Sequence, residues 1–214
     1  MGTIDYHLME LEIALSADDD RRAVPSVGDS DAVIVDIGCG IGQTLVALDC
    51  SHSKTCIGID VDRGALTFGT RRVGHAVRFL CCDAATLAIA SGVADLVFSR
   101  VALPYTDIPR VIREIRRVLK KEGRVWFALH GRAMACRALQ KEIYALNLRR
   151  SLYATYVLLN GYVLKYLGFV IPYGRGKYGS WQDMATMRRL LIRQGFAITQ
   201  CCEGTHMLIE GYVE

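Results

Sequence analysis

The chain has 214 residues, of which 51% are hydrophobic, 22% charged and only 4 are proline; this excludes a disordered tail, a collagen-like repeat and a low-complexity linker. The length corresponds to about one domain of roughly 150 residues with an insertion, enough to hide roughly 70% of the unfolded surface. The net charge of +4 is small for a protein held by phosphate contacts, but it is uneven: 11 basic residues against 5 acidic follow Gly131, and 15 against 17 precede them.

Residues 5–17 carry Leu8, Leu11 and Leu15 at helical spacing, and a polar linker with Pro25 and Gly28 follows. Five short apolar runs come next: 32–37, 55–60, 76–82, 94–99 and 124–130. Between them lie helical stretches at 43–50, 63–72, 86–90 and 107–121, the last with Ile108, Val111, Ile112, Ile115, Val118 and Leu119 on one face and Gly123 as its stop. Strands alternating with helices predict a parallel sheet, and apolar runs without alternation predict strands covered on both faces. After His130 the rhythm breaks. Residues 132–170 read as helices, 172–180 as a Gly-rich loop and 181–194 as a helix, and the runs after Gly195 form a closing hairpin around Glu203-Gly204-Thr205.

Eight cysteines stand at 39, 50, 56, 81, 82, 136, 201 and 202, none in a C-x-x-C pair. The two adjacent pairs lie in strand-like runs, where neighbouring side chains point to opposite faces. That suits neither shared metal ligation nor a disulfide, so the expectation is reduced, buried thiols, no metal and a cytoplasmic setting. Met1–Glu12 is polar with three acids and does not read as a secretory signal.

The first strand ends in Asp36-Ile37-Gly38-Cys39-Gly40-Ile41-Gly42 before a helix. Glycines in such a turn let a ligand approach the backbone and leave helix N–H groups free. The second strand ends in Asp60-Val61-Asp62, placing Asp60 where vicinal ribose hydroxyls can donate to it. The third ends in Cys82-Asp83-Ala84, where an acid can accept from an exocyclic amine such as that of adenine. Three acids thus fall at consecutive carboxyl ends of parallel strands, the place where such sheets bind ligands.

At these residues the chain resembles the class I S-adenosylmethionine-dependent methyltransferases of the type 11 sort. VIVDIGCGIGQT is similar to their glycine-rich motif, GIDVD to the ribose-binding one and LCCDAATL to the adenine-contacting one. The segment from Ala94 to His130 resembles their fourth strand, helix and fifth strand. The resemblance spans about residues 30–131 and the closing hairpin. It implies an α/β, Rossmann-like seven-stranded sheet of order 3-2-1-4-5-7-6 with the last strand antiparallel. It also implies S-adenosyl-L-methionine as cofactor, with S-adenosyl-L-homocysteine as product. Asp36, Gly38, Cys39, Gly40, Gly42 and Gln43 are then expected by its methionine part, Asp60 and Val61 at the ribose, Asp83 and Ala84 at the adenine, and Arg100 and Val101 beneath the sulfonium. Lys121-Glu122-Gly123 departs from the family's usual Pro-Gly-Gly, away from the cofactor. The rival, a nicotinamide-dependent dehydrogenase, carries G-x-G-x-x-G; here the order is G-x-G-x-G with Gln43 in the sixth position.

Residues 1–214 are read as a single domain, with 1–28 an N-terminal helix and linker and 132–180 a helical lid. His130 and Tyr105 are the candidate catalytic side chains, His130 as a general base because its pKa lies near neutrality. Tyr6, Tyr105, His130 and Tyr156 are candidate acceptor-binding residues. Seven tyrosines stand between Tyr144 and Tyr178, and 151–172 holds Lys165 as its only charge. This stretch is read first as a lid over an apolar or aromatic small-molecule acceptor. A homodimer interface through 144–178 comes second, and a membrane-surface contact serving a lipophilic acceptor third. A nucleic-acid or protein acceptor ranks lower because the basic residues are scattered, and a non-catalytic cofactor-binding protein lowest.

Overall fold

The computed structural model describes residues 3–19, 21–48, 54–174, 176–204 and 206–214; Cys50, Arg175 and Thr205 lie outside them. The strands are β1 (Val33–Ile37), β2 (Thr55–Asp60), β3 (Val77–Cys81), β4 (Ala94–Arg100), β5 (Leu119–Leu129), β6 (Phe196–Glu203) and β7 (Met207–Val213). They form one seven-stranded sheet in the order β3-β2-β1-β4-β5-β7-β6. The contacts β3–β2–β1–β4–β5 are parallel, and β7 runs antiparallel to both β5 and β6, as the resemblance implied.

The helices are α1 (Thr3–Leu15), α2 (Gln43–Ala47), α3 (Arg63–Val73), α4 (Ile108–Val118), α5 (Arg132–Tyr144), α6 (Leu148–Leu167) and α7 (Met184–Ile192). Because adjacent strand residues face opposite ways, Val35, Val97 and Phe127 join one core with α4 and α7, while Ile34, Leu96, Phe98 and Trp126 build the other. Five aliphatics of α4 are completely or almost completely buried, each contributing about 1.5–3 kcal/mol. Side-chain caps fix where several helices start: Asp62 accepts from Gly64 N at 2.8 Å, Asn147 from Arg150 N at 3.1 Å and Asp183 from Thr186 N at 2.8 Å.

Two expected helices are corrected. The stretch expected to run to Lys121 ends at Val118, because Leu119 already has extended backbone and Lys120 reaches the Asp95 carboxylate at 2.6 Å. The turn at Glu122, with φ +62°, is absorbed as an irregularity in β5. Residues 86–90 form bends and irregular backbone, not a helix. Side chains of α4 take over their backbone groups: Glu114 accepts from Leu87 N at 2.8 Å, while Arg117 donates to Leu87 O at 3.0 Å and Ile89 O at 2.8 Å.

The insertion is an antiparallel α5–α6 hairpin followed by an extended return. Asn160, buried on α6, ties the two together: its amide donates to Ile171 O at 3.2 Å and Gly179 O at 2.9 Å, and its oxygen accepts from Ile171 N at 2.8 Å. Next to it, Gly161 leaves room for Trp181, whose indole N–H donates to Leu158 O at 2.9 Å. A Cβ on Gly161 would stand 2.2 Å from that indole nitrogen. Gly161→Ala is therefore expected to push Trp181 out of place and to destabilise the fold by about 1–3 kcal/mol, read by urea unfolding together with a red shift of tryptophan emission.

Candidate functional site

A cavity of about 940 Å³ opens at the carboxyl ends of β1, β2, β3 and β4. Its floor is Gly38, Asp60, Val61, Asp83, Ala84, Arg100 and Val101, with Gln43 beside them. These are eight of the twelve residues expected at a cofactor. The other four lie just behind the wall. Asp36 and Cys39 are almost fully buried; burial, then the nearby Asp60 charge, pushes the Asp36 carboxyl well above its ordinary range. Gly40 and Gly42 carry the turn itself, with φ of +56° and +86°.

The loop is anchored to the neighbouring strand. Asp60 accepts from Gly40 N at 2.8 Å and from Asp62 N at 2.9 Å. A Cβ on Gly40 would stand 2.5 Å from the His7 ring, so α1 lies directly on the turn. His7 approaches Gln43 at 3.5 Å, and burial lowers its pKa against the opposing pull of Asp60 and Asp62.

One side of the cavity is α1, through Tyr6, His7 and Glu10. Glu10 forms an ion pair with Arg100, which is buried at the tip of β4; the Nη1 of Arg100 is buried with no partner among the described residues. The other side comes from the lid: Tyr153 and Tyr173 with Arg149, Arg150 and Lys177. Tyr105 stands between the two sides. Burial, then the neighbouring Tyr6, raises its phenol above its ordinary pKa, so it presents a neutral hydroxyl.

Of the four candidate acceptor-binding residues, Tyr6 and Tyr105 line the cavity; His130 and Tyr156 do not. Tyr156 holds the lid instead, donating to Ile171 O at 2.7 Å. His130 lies behind Tyr105, ring edge to ring face with centroids 6.0 Å apart, and its carbonyl accepts from Gln182 N at 3.0 Å. Burial, then His206, lowers the His130 pKa to about 4, so at neutral pH the ring is uncharged. Sequence reasoning missed Tyr153 and Tyr173 as wall residues, since nothing distinguishes them in the sequence from the other tyrosines of the lid.

Residues 35–127 match a family described as "Methyltransferase domain". That segment, a little under half of the chain, is thus similar to a methyltransferase domain. Among curated relatives, the malonyl-[acyl-carrier protein] O-methyltransferase of Methylovorus is 33% identical over 112 residues, covering 46% of this chain and 36% of its own. The biotin biosynthesis bifunctional protein BioHC of Cellvibrio japonicus is 29% identical over 99 residues, covering 46% of this chain and 20% of its own. The match thus spans about a third or less of those relatives' length. A chain from the complex of the Haloferax volcanii Trm112 methyltransferase activator superposes with a TM-score of 0.67 at 16% identity, covering 99% of this chain and 95% of that one.

The donor set fits S-adenosylmethionine: acids at two strand tips suit ribose hydroxyls and an adenine amine, and the glycine turn leaves its backbone open to close approach. Asp60→Ala is expected to weaken S-adenosylhomocysteine binding by about 1.5–3 kcal/mol in a calorimetric titration, the range for a hydrogen bond to a charged group. Unchanged affinity would remove Asp60 from the ribose position.

His130 also sets a pH dependence. Between about pH 6.5 and 4 the unfolded chain binds a proton on this ring that the native chain refuses. Stability is accordingly expected to fall as pH is lowered through that window, by up to about 3 kcal/mol. His130→Gln should flatten this part of a stability-versus-pH curve measured by urea unfolding.

Proposed function

We propose that the chain transfers the methyl group of S-adenosylmethionine to a small apolar or aromatic acceptor held between α1 and the lid. The observation that carries this reading is a single cavity whose floor is the cofactor motif set and whose upper walls bring the rings of Tyr6, Tyr105, Tyr153 and Tyr173 together, with Arg149, Arg150 and Lys177 beside them. Its volume of about 940 Å³ lies at the top of the roughly 300–1,000 Å³ range of small-molecule sites. A cavity that must hold donor and acceptor together requires such a size.

The cofactor, when bound, supplies a methyl group already activated on a sulfonium. The protein's task is then alignment and exclusion of water. Arg100 ends β4 and Val101 follows it beneath the expected sulfonium, with Tyr105 four residues further on. In this reading Tyr105 touches the acceptor through its ring and hydroxyl. His130 acts through Tyr105, fixing the ring against which the acceptor stacks, because it packs on that ring and lies outside the cavity wall. Tyr6 closes the opposite side.

Calorimetric titration with S-adenosylmethionine, S-adenosylhomocysteine and NAD tests the reading. Micromolar binding of the two S-adenosyl compounds without NAD binding is expected, followed by turnover in a screen that starts from apolar aromatic acceptors. Binding of NAD alone would overturn it. Tight S-adenosyl binding with no turnover on any acceptor class would point to a cofactor-binding protein without catalysis.

A further inference from the structure

We propose that the tip of the α5–α6 hairpin is a docking element that seats the mouth of the cavity on an anionic lipid surface. The turn between the helices exposes Ile143, Tyr144, Leu146 and Leu148, with Leu146 at 91% and Leu148 at 74% of full exposure. Leu146 also has φ +52°, a left-handed conformation that costs a leucine roughly 1–2 kcal/mol and that glycine or asparagine adopts more readily. Neither packing nor backbone preference accounts for a leucine there. A side chain that is strained and fully presented to the outside has its use on the outside.

The apolar surface continues along α6. Leu148, Leu152, Leu159, Tyr162 and Tyr166 recur at helical spacing on the face opposite the buried Ala154, Asn160, Gly161 and Leu164. No helix among the described residues is long and apolar enough to cross a membrane, so contact is with the surface. Tyrosine is suited to that depth, with its ring in the acyl boundary and its hydroxyl among headgroups.

Charge selects the occupant. Residues 132–177 hold eight basic side chains and a single acid, Glu142, which faces Arg150 at 3.9 Å. A second copy docking by two-fold symmetry would bring this positive surface against itself, with no further acid on the hairpin to offset it. Anionic headgroups complement it, at about 1 kcal/mol per basic residue near the surface. Placement agrees with this. Asn147, Arg149, Arg150 and Tyr153, interleaved with the exposed leucines, line the cavity, so a docked tip would open the cavity onto the lipid. That the acceptor enters from there, and is therefore lipophilic, rests on the function proposed above; the docking does not.

The test is co-sedimentation of the full chain with vesicles of phosphatidylcholine containing phosphatidylglycerol, beside vesicles of phosphatidylcholine alone. Salt-sensitive binding to the anionic vesicles is expected, weaker by at least about tenfold on the neutral ones. The double variant Leu146→Asn, Leu148→Asn should lose about tenfold or more of that binding. It should keep its melting temperature and its calorimetric affinity for S-adenosylhomocysteine, since asparagine suits the left-handed turn and neither leucine lines the cavity. Absence of vesicle binding at low salt would overturn the proposal, as would equal binding by the variant. A dimer by light scattering that the variant converts to a monomer would assign the patch to a second copy instead. Failure of S-adenosyl binding would strike the proposed function and leave the docking result standing.

Discussion

The Asp60 carboxylate accepts the Gly40 amide at 2.8 Å, and through that bond the turn after β1 is tied to the tip of β2. Everything around the bond is arranged for close approach. The ring of Phe79, on β3, lies within 3.0 Å of where a Cβ would stand on Gly42, Gly58 or Gly69, three glycines from three elements. Cys39 Sγ fills the remaining space over Gly58, at 2.8 Å from the missing Cβ. One aromatic ring thus sets the spacing of β2, β3, α3 and the turn together. A side chain at any of those glycines would lever the turn away from Asp60. The acids at the strand tips owe their positions to the sheet register, and the register fits only because these backbones can touch.

The two ends of the cavity are built by different means. The cofactor end belongs to the continuous sheet, whose strands are covered on both faces and whose tips cannot shift independently. The end away from the sheet is fixed in part by polar ties: the pair of Glu10 with Arg100 holds α1, and Asn160 and Trp181 tie α6 to the strip that follows it. The return strip after α6 is pinned to the loops that follow β4 and β5 by backbone bonds from Ser180 N to Pro104 O and from Gln182 N to His130 O, both 3.0 Å. The two walls of the cavity that α1 and the α5–α6 hairpin supply also lie outside the matched segment 35–127. Specificity in such folds resides in elements added beyond the strand tips.

The sheet could be read from the sequence because each parallel strand holds a short, mostly apolar run, and the first three runs lead into an acid or glycines. The helix expected at 86–90 could not be corrected from local pattern. Its backbone is satisfied by Glu114 and Arg117, about 30 positions away on α4, a tertiary effect that overrides propensity. The floor of the site was legible for the same reason as the strands, since glycines and acids at strand ends have few other uses. Its walls were not. Tyr153 and Tyr156 differ by three positions on one helix, yet Tyr153 faces the cavity while Tyr156 donates to Ile171 O and supports the lid. Only the docking angle of α6 separates the two, and no pattern in the helix encodes that angle. His130 illustrates the reverse: it stands just past the end of β5 as expected, yet it packs edge-on against Tyr105 and does not line the cavity.

The α5–α6 hairpin shows how an added element can be held without a large apolar core of its own. A polar residue such as Asn160 in an otherwise apolar helix is expensive unless every one of its bonds is made, and here its amide and its oxygen are both engaged. The tie therefore specifies one arrangement of α6 on its return strip without requiring a large buried apolar face. That frees the outer face of α6 from packing, and it is there that Leu152, Leu159 and Tyr166 stand exposed. Residues released from packing can follow whatever surface the lid meets. Those on the inner side, Tyr153 and Arg149 among them, line the cavity. Changes on either side leave Asp60 and its glycine turn undisturbed, because no apolar core joins the tip of the hairpin to the sheet.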